Sequence, residues 1–238
     1  MNTPKTSMIA EQHVVGVDLG QSRDPTAICV VALNRPVDEP HRPILRVVFL
    51  ERLRLGMSYP HMVARVEEVV SKLPPGTELV IDMSGVGRAV YDLFVVARPM
   101  MIDEDGNVRP PRRLSPIGVT ITAGREETRN GRIYCVPKLD LVSKVQALLH
   151  DGRLKISRQL PEAGVLVREL KEFRVDYTTA GHVVFNARVG AHDDLVLALA
   201  LAVWRASRPK IIITQQTIDR LSVPKNWRGV RHLAPFGF

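Results

Sequence analysis

From His13 onward the chain alternates between apolar runs and polar, Pro- or Gly-containing stretches. HVVGVDL (13–19), TAICVVAL (26–33) and PILRVVFLERLRL (43–55) come in quick succession and predict three strands. The Asp24-Pro25 turn and the proline- and charge-rich NRPVDEPHRP (34–43) join them. SYPHMVARVEEVVSKL (58–73) carries Met62, Val63, Val66, Val69, Val70 and Leu73 at helical spacing, with Ser58 as the expected N-cap. Pro74-Pro75-Gly76 stops that helix. TELVIDMSG (77–85) then reads as a short buried strand, and the stretch from Gly87 to Arg98 as a helix.

PRRLSPIGVTIT (111–122) predicts another strand. In REETRNGRIYCVPK (125–138), Asn130-Gly131 is a type I′ hairpin signal. Leu139 to Leu149 is helical and ends at Asp151-Gly152, and PEAGVLVRELKEF (161–173) is helical again. RVDYTTAGHVVFNARV (174–189) predicts a hairpin turning near Ala180-Gly181. HDDLVLALALAVWRA (192–206) is apolar almost all round, so that helix must be buried. A three-strand meander followed by alternating helix and strand predicts an α/β fold: a mixed central sheet flanked by helices, with an additional β-hairpin before the last helix. The expected organisation is a flexible lead-in over residues 1–12, one domain over 13–206, and a basic tail over 207–238.

Composition narrows the partners. The 238 residues are 45% hydrophobic and 24% charged, with net charge +8 and a sequence pI near 9.9, so an acidic polymer or anionic surface is the expected partner. Aromatic content of 5% argues against a module that grips single strands by base stacking. Cys29 and Cys135 read as buried free thiols in a reducing compartment, and no CxxC or HxxxH spacing indicates zinc. The polar start has no signal-peptide core, and the longest apolar stretch, Leu195–Trp204, is half a bilayer span. The expectation is a soluble cytoplasmic protein with no membrane partner.

The carboxylates change the picture. Asp18 lies inside an apolar strand between Val17 and Leu19, where an unpaired ionised carboxylate costs several kcal/mol. Asp82 ends the next apolar strand just before a glycine turn, and Asp193 and Asp194 open the buried last helix. Singly, a strand-end Asp also serves as a turn cap, and a helix-start Asp as an N-cap. Together, two strand ends and one helix start can converge. Such a cluster repels itself unless cations balance it. Oxygen ligands without His or Cys select Mg²⁺ or Mn²⁺, and two such ions about 3.5–4 Å apart clamp an in-line displacement at phosphorus.

With its Asp-bearing first strand, with IDMSGVG (81–87) leading into RAVYDLF (88–94), and with HDDLVLALALA (192–202), the chain resembles the nuclease domain of bacteriophage large terminases over roughly residues 13 to 206. The resemblance implies an RNase H-like, retroviral-integrase-like fold and a metal-dependent endonuclease acting on double-stranded DNA by two-metal-ion catalysis in DNA packaging. It implies that Asp18, Asp82 and Asp194 are the catalytic, metal-binding triad, with Asp193 an auxiliary ligand and Asp24 assisting the second metal. His192 is a candidate for orienting a water or phosphate. The hairpin over 174–188 corresponds to a family element that steers DNA. Complete large terminases carry an ATPase motor with a P-loop, and no GxxxxGK[ST] occurs here. The expectation is therefore an isolated, split or stand-alone nuclease domain, served by a separate terminase ATPase, small terminase or portal protein.

Arg109, Arg112, Arg113, Arg125, Arg129 and Arg132, with Lys138, are the expected phosphate-contacting strip, although Glu126 and Glu127 dilute it. Competing readings are a Holliday-junction resolvase or transposase-type nuclease, which uses the same acids, and an actin- or sugar-kinase-like ATPase. The last rests on GVDLGQS (16–22), which resembles that superfamily's phosphate hairpin.

Overall fold

The computed structural model describes residues 11–20, 24–36, 42–95, 101–102, 108–109, 114–177, 183–186 and 193–208. The three apolar runs form β1 (Gln12–Asp18), β2 (Ala27–Asn34) and β3 (Ile44–Arg52), an antiparallel meander. Helix α1 (Tyr59–Ser71) leads to β4 (Glu78–Asp82), which returns parallel to β1, and α2 (Gly87–Val95) follows. The short strands β5 (Met101–Ile102) and β6 (Val108–Arg109) make a separate ribbon. β7 (Ile117–Thr122) lies parallel to β4, and β8 (Thr128–Asn130) and β9 (Ile133–Pro137) complete that side of the sheet. Then come α3 (Lys138–His150), β10 (Leu154–Ile156), α4 (Ala163–Glu172), the ribbon of β11 (Arg174–Tyr177) with β12 (Val183–Asn186), and α5 (Asp194–Ala206).

The main sheet has eight strands in the order β10-β3-β2-β1-β4-β7-β9-β8. Its central strands are buried on both faces, which is why they read as continuous apolar runs rather than as alternating ones. Alternate residues supply two separate cores. Val14, Cys29, Val31 and Val80 join α3, α4 and α5 on one face. Val15, Val17, Ile28, Val30 and Ile81 join α1 and α2 on the other. Side chains alternate along a strand, so Asp18, in phase with Val14, and Asp82, in phase with Val80, belong to the α5 face. The pattern of two helical layers around a mixed sheet matches the α/β expectation, and the hairpin precedes the last helix as expected.

Local differences have local causes. Ser58 occupies the N-cap position of α1, but its hydroxyl makes no cap hydrogen bond and lies 2.7 Å from His61 Nδ1 instead. The β8–β9 hairpin forms, yet Asn130 pairs with Ile133, so Gly131 and Arg132 are its loop. Gly131 has φ +60 and no described non-glycine residue has positive φ, which is the φ signature of a type II′ turn and not of the expected type I′. Cys29 is fully buried, whereas Cys135 is only half-buried. β10 was not expected from the pattern: three residues at the sheet edge gain strand geometry only by pairing with β3. The lead-in, the tail and the turn near Ala180-Gly181 lie outside the described residues, apart from the junctions at 11–12 and 207–208. No described helix is long and apolar enough to cross a membrane.

Candidate metal centre

β1, β4 and the start of α5 bring Asp18, Asp82 and the Asp193–Asp194 pair near one another on the α5 face. In the β1–β4 register Val17 pairs with Ile81, which sets the next residues, Asp18 and Asp82, side by side at the ends of neighbouring parallel strands. Helix α5 lies directly on β1. A methyl group at Gly16 would stand 2.1 Å from Ala198 O and 2.7 Å from Ala202 N, so only glycine admits this approach. Moving two residues along β1 from Gly16 to Asp18, and one turn back along α5 from Ala198, reaches Asp194. The first turn of α5 also presents the positive end of its dipole, which favours acidic side chains there.

These acids are deeply placed: Asp18 is 9%, Asp82 7% and Asp194 2% exposed. Burial raises the Asp18 carboxyl well above its ordinary range, and the negative charges of Asp82, Asp194 and Asp193 raise it further. Asp18 and Asp82 lie close enough that the ionisation of one disfavours that of the other. Burial also raises Asp82, opposed by the amide and hydroxyl of Ser84, by Asp18 and by Lys138. The Ser84 amide donates to Asp82 Oδ1 at 2.8 Å and fixes that carboxylate at the turn.

Two cations serve the cluster. Lys138 Nζ, at the start of α3, donates to Asp193 Oδ2 at 2.8 Å and sits 5.2 Å from the Phe173 ring centroid. Arg52 Nη2 approaches Asp194 Oδ2 at 3.4 Å and donates to Glu169. Glu169 is 7% exposed, and its burial pushes its pKa up to about 7 against the pull of Arg52 and the Val196 amide. Among the described residues no three acidic, His or Cys side chains already surround one point as a complete ligand set. Lys138 and Arg52 offset part of the charge. The donor set nonetheless fits a hard divalent cation: four aspartates near one another, mutually repelling, with no softer ligand among them.

Sequence reasoning missed Arg52 and Glu169. Glu169 reads as an ordinary polar position in VRELKEF, and nothing in its spacing marks it as buried. Arg52 depends on a β-bulge. Val30 pairs with Phe49 and Val31 with Val47, so Val48 is the extra residue. Leu45 and Val47 face α5, and after the extra residue Leu50 takes that face again. Arg52 follows Leu50 in phase, and Glu51 turns to the opposite face, where Arg65 Nε donates to it at 3.0 Å.

The other candidates are dispersed. Asp24 is exposed in the loop before β2. Arg125 is exposed in the turn after β7. Arg129 donates to Gly131 O at 2.8 Å and stacks 5.2 Å over the Tyr134 ring, bracing its own hairpin, and Arg132 donates to Pro116 O at 3.2 Å and to Ser115 O, tying that hairpin to the segment before β7. Lys138, expected in the same strip, is directed at Asp193 instead, because α3 begins beside the cluster. Arg112, Arg113 and His192 lie outside the described residues, as does the side chain of Arg109.

A mixed sheet whose neighbouring strand ends and last helix pool their carboxylates on one face is the RNase H-like nuclease architecture. A sequence profile of the Terminase RNaseH-like domain matches residues 15–205. The chain belongs to that family and is homologous to the nuclease domain of terminase large subunits. It is 25% identical over 190 residues to the terminase large subunit of Thermus virus P23-45 and 24% identical to that of Thermus phage G20c. Each match covers 80% of this chain and 31% of the relative, so the chain spans about a third of the length of these proteins. The crystal structure of the large terminase nuclease from thermophilic phage G20c superposes with a TM-score of 0.54 at 20% identity, over 82% of this chain and 83% of that one. The same nuclease with bound magnesium and with bound cobalt gives the same score at 22% identity. The family match disfavours the sugar-kinase-like reading of residues 16–22.

Proposed function

We propose that this chain is a metal-dependent endonuclease that cuts double-stranded DNA, as the nuclease part of a DNA-packaging terminase system. The observation that carries the reading is the proximity of Asp18 to Asp82, Asp193 and Asp194 on the α5 face, where Lys138 pairs with Asp193 and Arg52 with Asp194. Asp18, Asp82 and Asp194 would hold two Mg²⁺ or Mn²⁺ ions, with Asp193 as auxiliary ligand and Asp24 as a loop-borne donor to the second. When bound, such ions supply a water acidic enough to attack phosphorus and a positive charge for the leaving oxygen. The magnesium and cobalt bound by the G20c nuclease support this assignment.

The protein's own residues do the rest. Asp18, whose burial and acidic neighbours disfavour its charged form, would ionise fully with a cation beside it. The Ser84 amide keeps Asp82 from turning away. Lys138 and Arg52 balance the residual charge at the rim, near where a phosphate would lie. Arg125, Arg129 and Arg132, with Arg112 and Arg113, are proposed to follow the DNA backbone, and His192 to orient a water or phosphate. The partners proposed are duplex DNA and a separate packaging ATPase, small terminase or portal protein, in the cytoplasm.

Plasmid DNA incubated with the protein and Mn²⁺ should be nicked and then linearised without ATP. Asp82→Ala should remove that cutting while the far-ultraviolet circular dichroism is retained. Undiminished cutting by Asp82→Ala would refute the assignment.

A further inference from the structure

Helix α5 breaks a local rule. Asp193 stands at its N-cap, with φ −123 and ψ 15, yet makes no side-chain cap hydrogen bond. An aspartate there ordinarily accepts from the amides two and three residues on, which here belong to Leu195 and Val196. Those amides are taken from outside the helix. Glu169 Oε2, on α4, accepts from Leu195 N at 3.1 Å and Val196 N at 3.3 Å. Its other oxygen accepts from Arg52 Nη2, delivered to this face by the bulge at Val48. Asp193 turns to Lys138 instead, and Asp194 to Arg52.

We propose that Glu169, held by Arg52, is a positioning residue of the metal centre: it caps α5 from α4 so that the carboxylates of Asp193 and Asp194 face the cluster and not their own helix. This rests on reading the cluster as a metal centre. An aspartate that caps its own helix commits an oxygen to two amides, and a ligand must keep its oxygens aimed at the ion. A glutamate from a neighbouring element relieves that conflict. The apolar packing of α4 against α5 fixes its distance, and Arg52 fixes its rotamer. Glu169 thereby orients ligands that it does not replace, as outer-shell partners do in metal sites generally.

The test compares Glu169→Ala, Glu169→Gln and the parent by Mn²⁺ titration calorimetry, by hydrogen exchange at the Leu195 and Val196 amides without metal, and by plasmid nicking. In Glu169→Ala the two amides pass to Asp193, and Mn²⁺ affinity should fall about 10- to 100-fold. Nicking should slow at fixed Mn²⁺ and recover as Mn²⁺ is raised, with KM for DNA unmoved. Glu169→Gln keeps one oxygen for both amides but loses the acceptor for Arg52, so it should retain the protection of both amides and much of the affinity. Affinity in Glu169→Ala equal to that of the parent would overturn the proposal. So would a Glu169→Gln protein that protects both amides yet binds Mn²⁺ as weakly as Glu169→Ala, since the cap would then be present without its consequence. Should Glu169→Ala fail to fold, Glu169→Gln decides alone: near-parental affinity and amide protection support the cap, and their loss refutes it. A parent protein that binds no Mn²⁺ and leaves plasmid uncut refutes the metal-centre reading itself, a result distinguishable from the other two.

Discussion

Replacing Gly16 by alanine would test the packing that brings β1 and α5 together. The new methyl carbon would lie 2.1 Å from Ala198 O, 2.7 Å from Ala202 N and 3.1 Å from Ala202 Cβ. Non-bonded heavy atoms rest about 3.5 Å apart, so the helix must retreat by roughly 1 Å or more. The two nearest obstacles are backbone atoms, and no rotamer change relieves them. Nor can α5 retreat freely, because twelve of its thirteen residues are buried and its far side packs on α3 and α4. Overpacking of this kind costs about 1–3 kcal/mol. In a domain of this size that lowers Tm by roughly 2–12 °C.

The same retreat carries Asp193 and Asp194 away from Asp18 and Asp82, and a misplacement of about 1 Å near reacting groups costs on the order of 100-fold in rate. Differential scanning calorimetry and Mn²⁺ titration measure the two consequences separately. Gly164→Ala is the control: it is an exposed α4 position where an added methyl meets nothing within 4 Å, and it should stabilise by up to about 1 kcal/mol. A Gly16→Ala protein that melts with the parent and binds Mn²⁺ as tightly would refute the close seating of α5 on β1.

Acid–base behaviour follows from the raised carboxyls. Asp18 is held well above 3.8 by burial and its acidic neighbours, and Glu169 is pushed from 4.5 to about 7 by burial. Over the window from about 4 to 7 the folded state then binds more protons than the unfolded chain, so metal-free stability should fall as pH rises through it. Added Mn²⁺ should oppose that fall and bind more tightly as pH rises, and melts across this range with and without the ion check both signs. Neutralising Arg125 and Arg129 together should weaken DNA binding uniformly across sequences and shallow the salt dependence by about 1–2 in log–log slope, read by titrations at several salt concentrations.

Much of the fold is legible in one dimension because burial on both faces of a sheet leaves uninterrupted Val/Ile/Leu runs. β1, β2 and β4 announce themselves that way, and α5 does so through an apolar surface that only full burial tolerates. The acids stand out for the same reason: Asp18 among valines and Asp82 after LVI are conspicuous against an apolar background, and HDD against the helix that follows. The three-residue β10 carries no such contrast, since its geometry comes from β3 alone. Glu169 carries none either, because one buried acid in an amphipathic helix has the same local pattern as an exposed one.

Residue order along the chain thus determined which segments are strands and helices and which carboxylates are out of place in them. Tertiary structure decided what meets those carboxylates. The extra residue at Val48 turns Arg52 toward α5, the absence of a side chain at Gly16 lets α5 settle onto β1, and Glu169 reaches across from α4 to take the amides that Asp193 would otherwise bind. Apolar periodicity is a property of neighbours in sequence, and so it is written there. A bulge partner, an interhelical cap and a pair of aspartates on neighbouring strands exist only between residues tens of positions apart, where distance is set by packing and not by spacing.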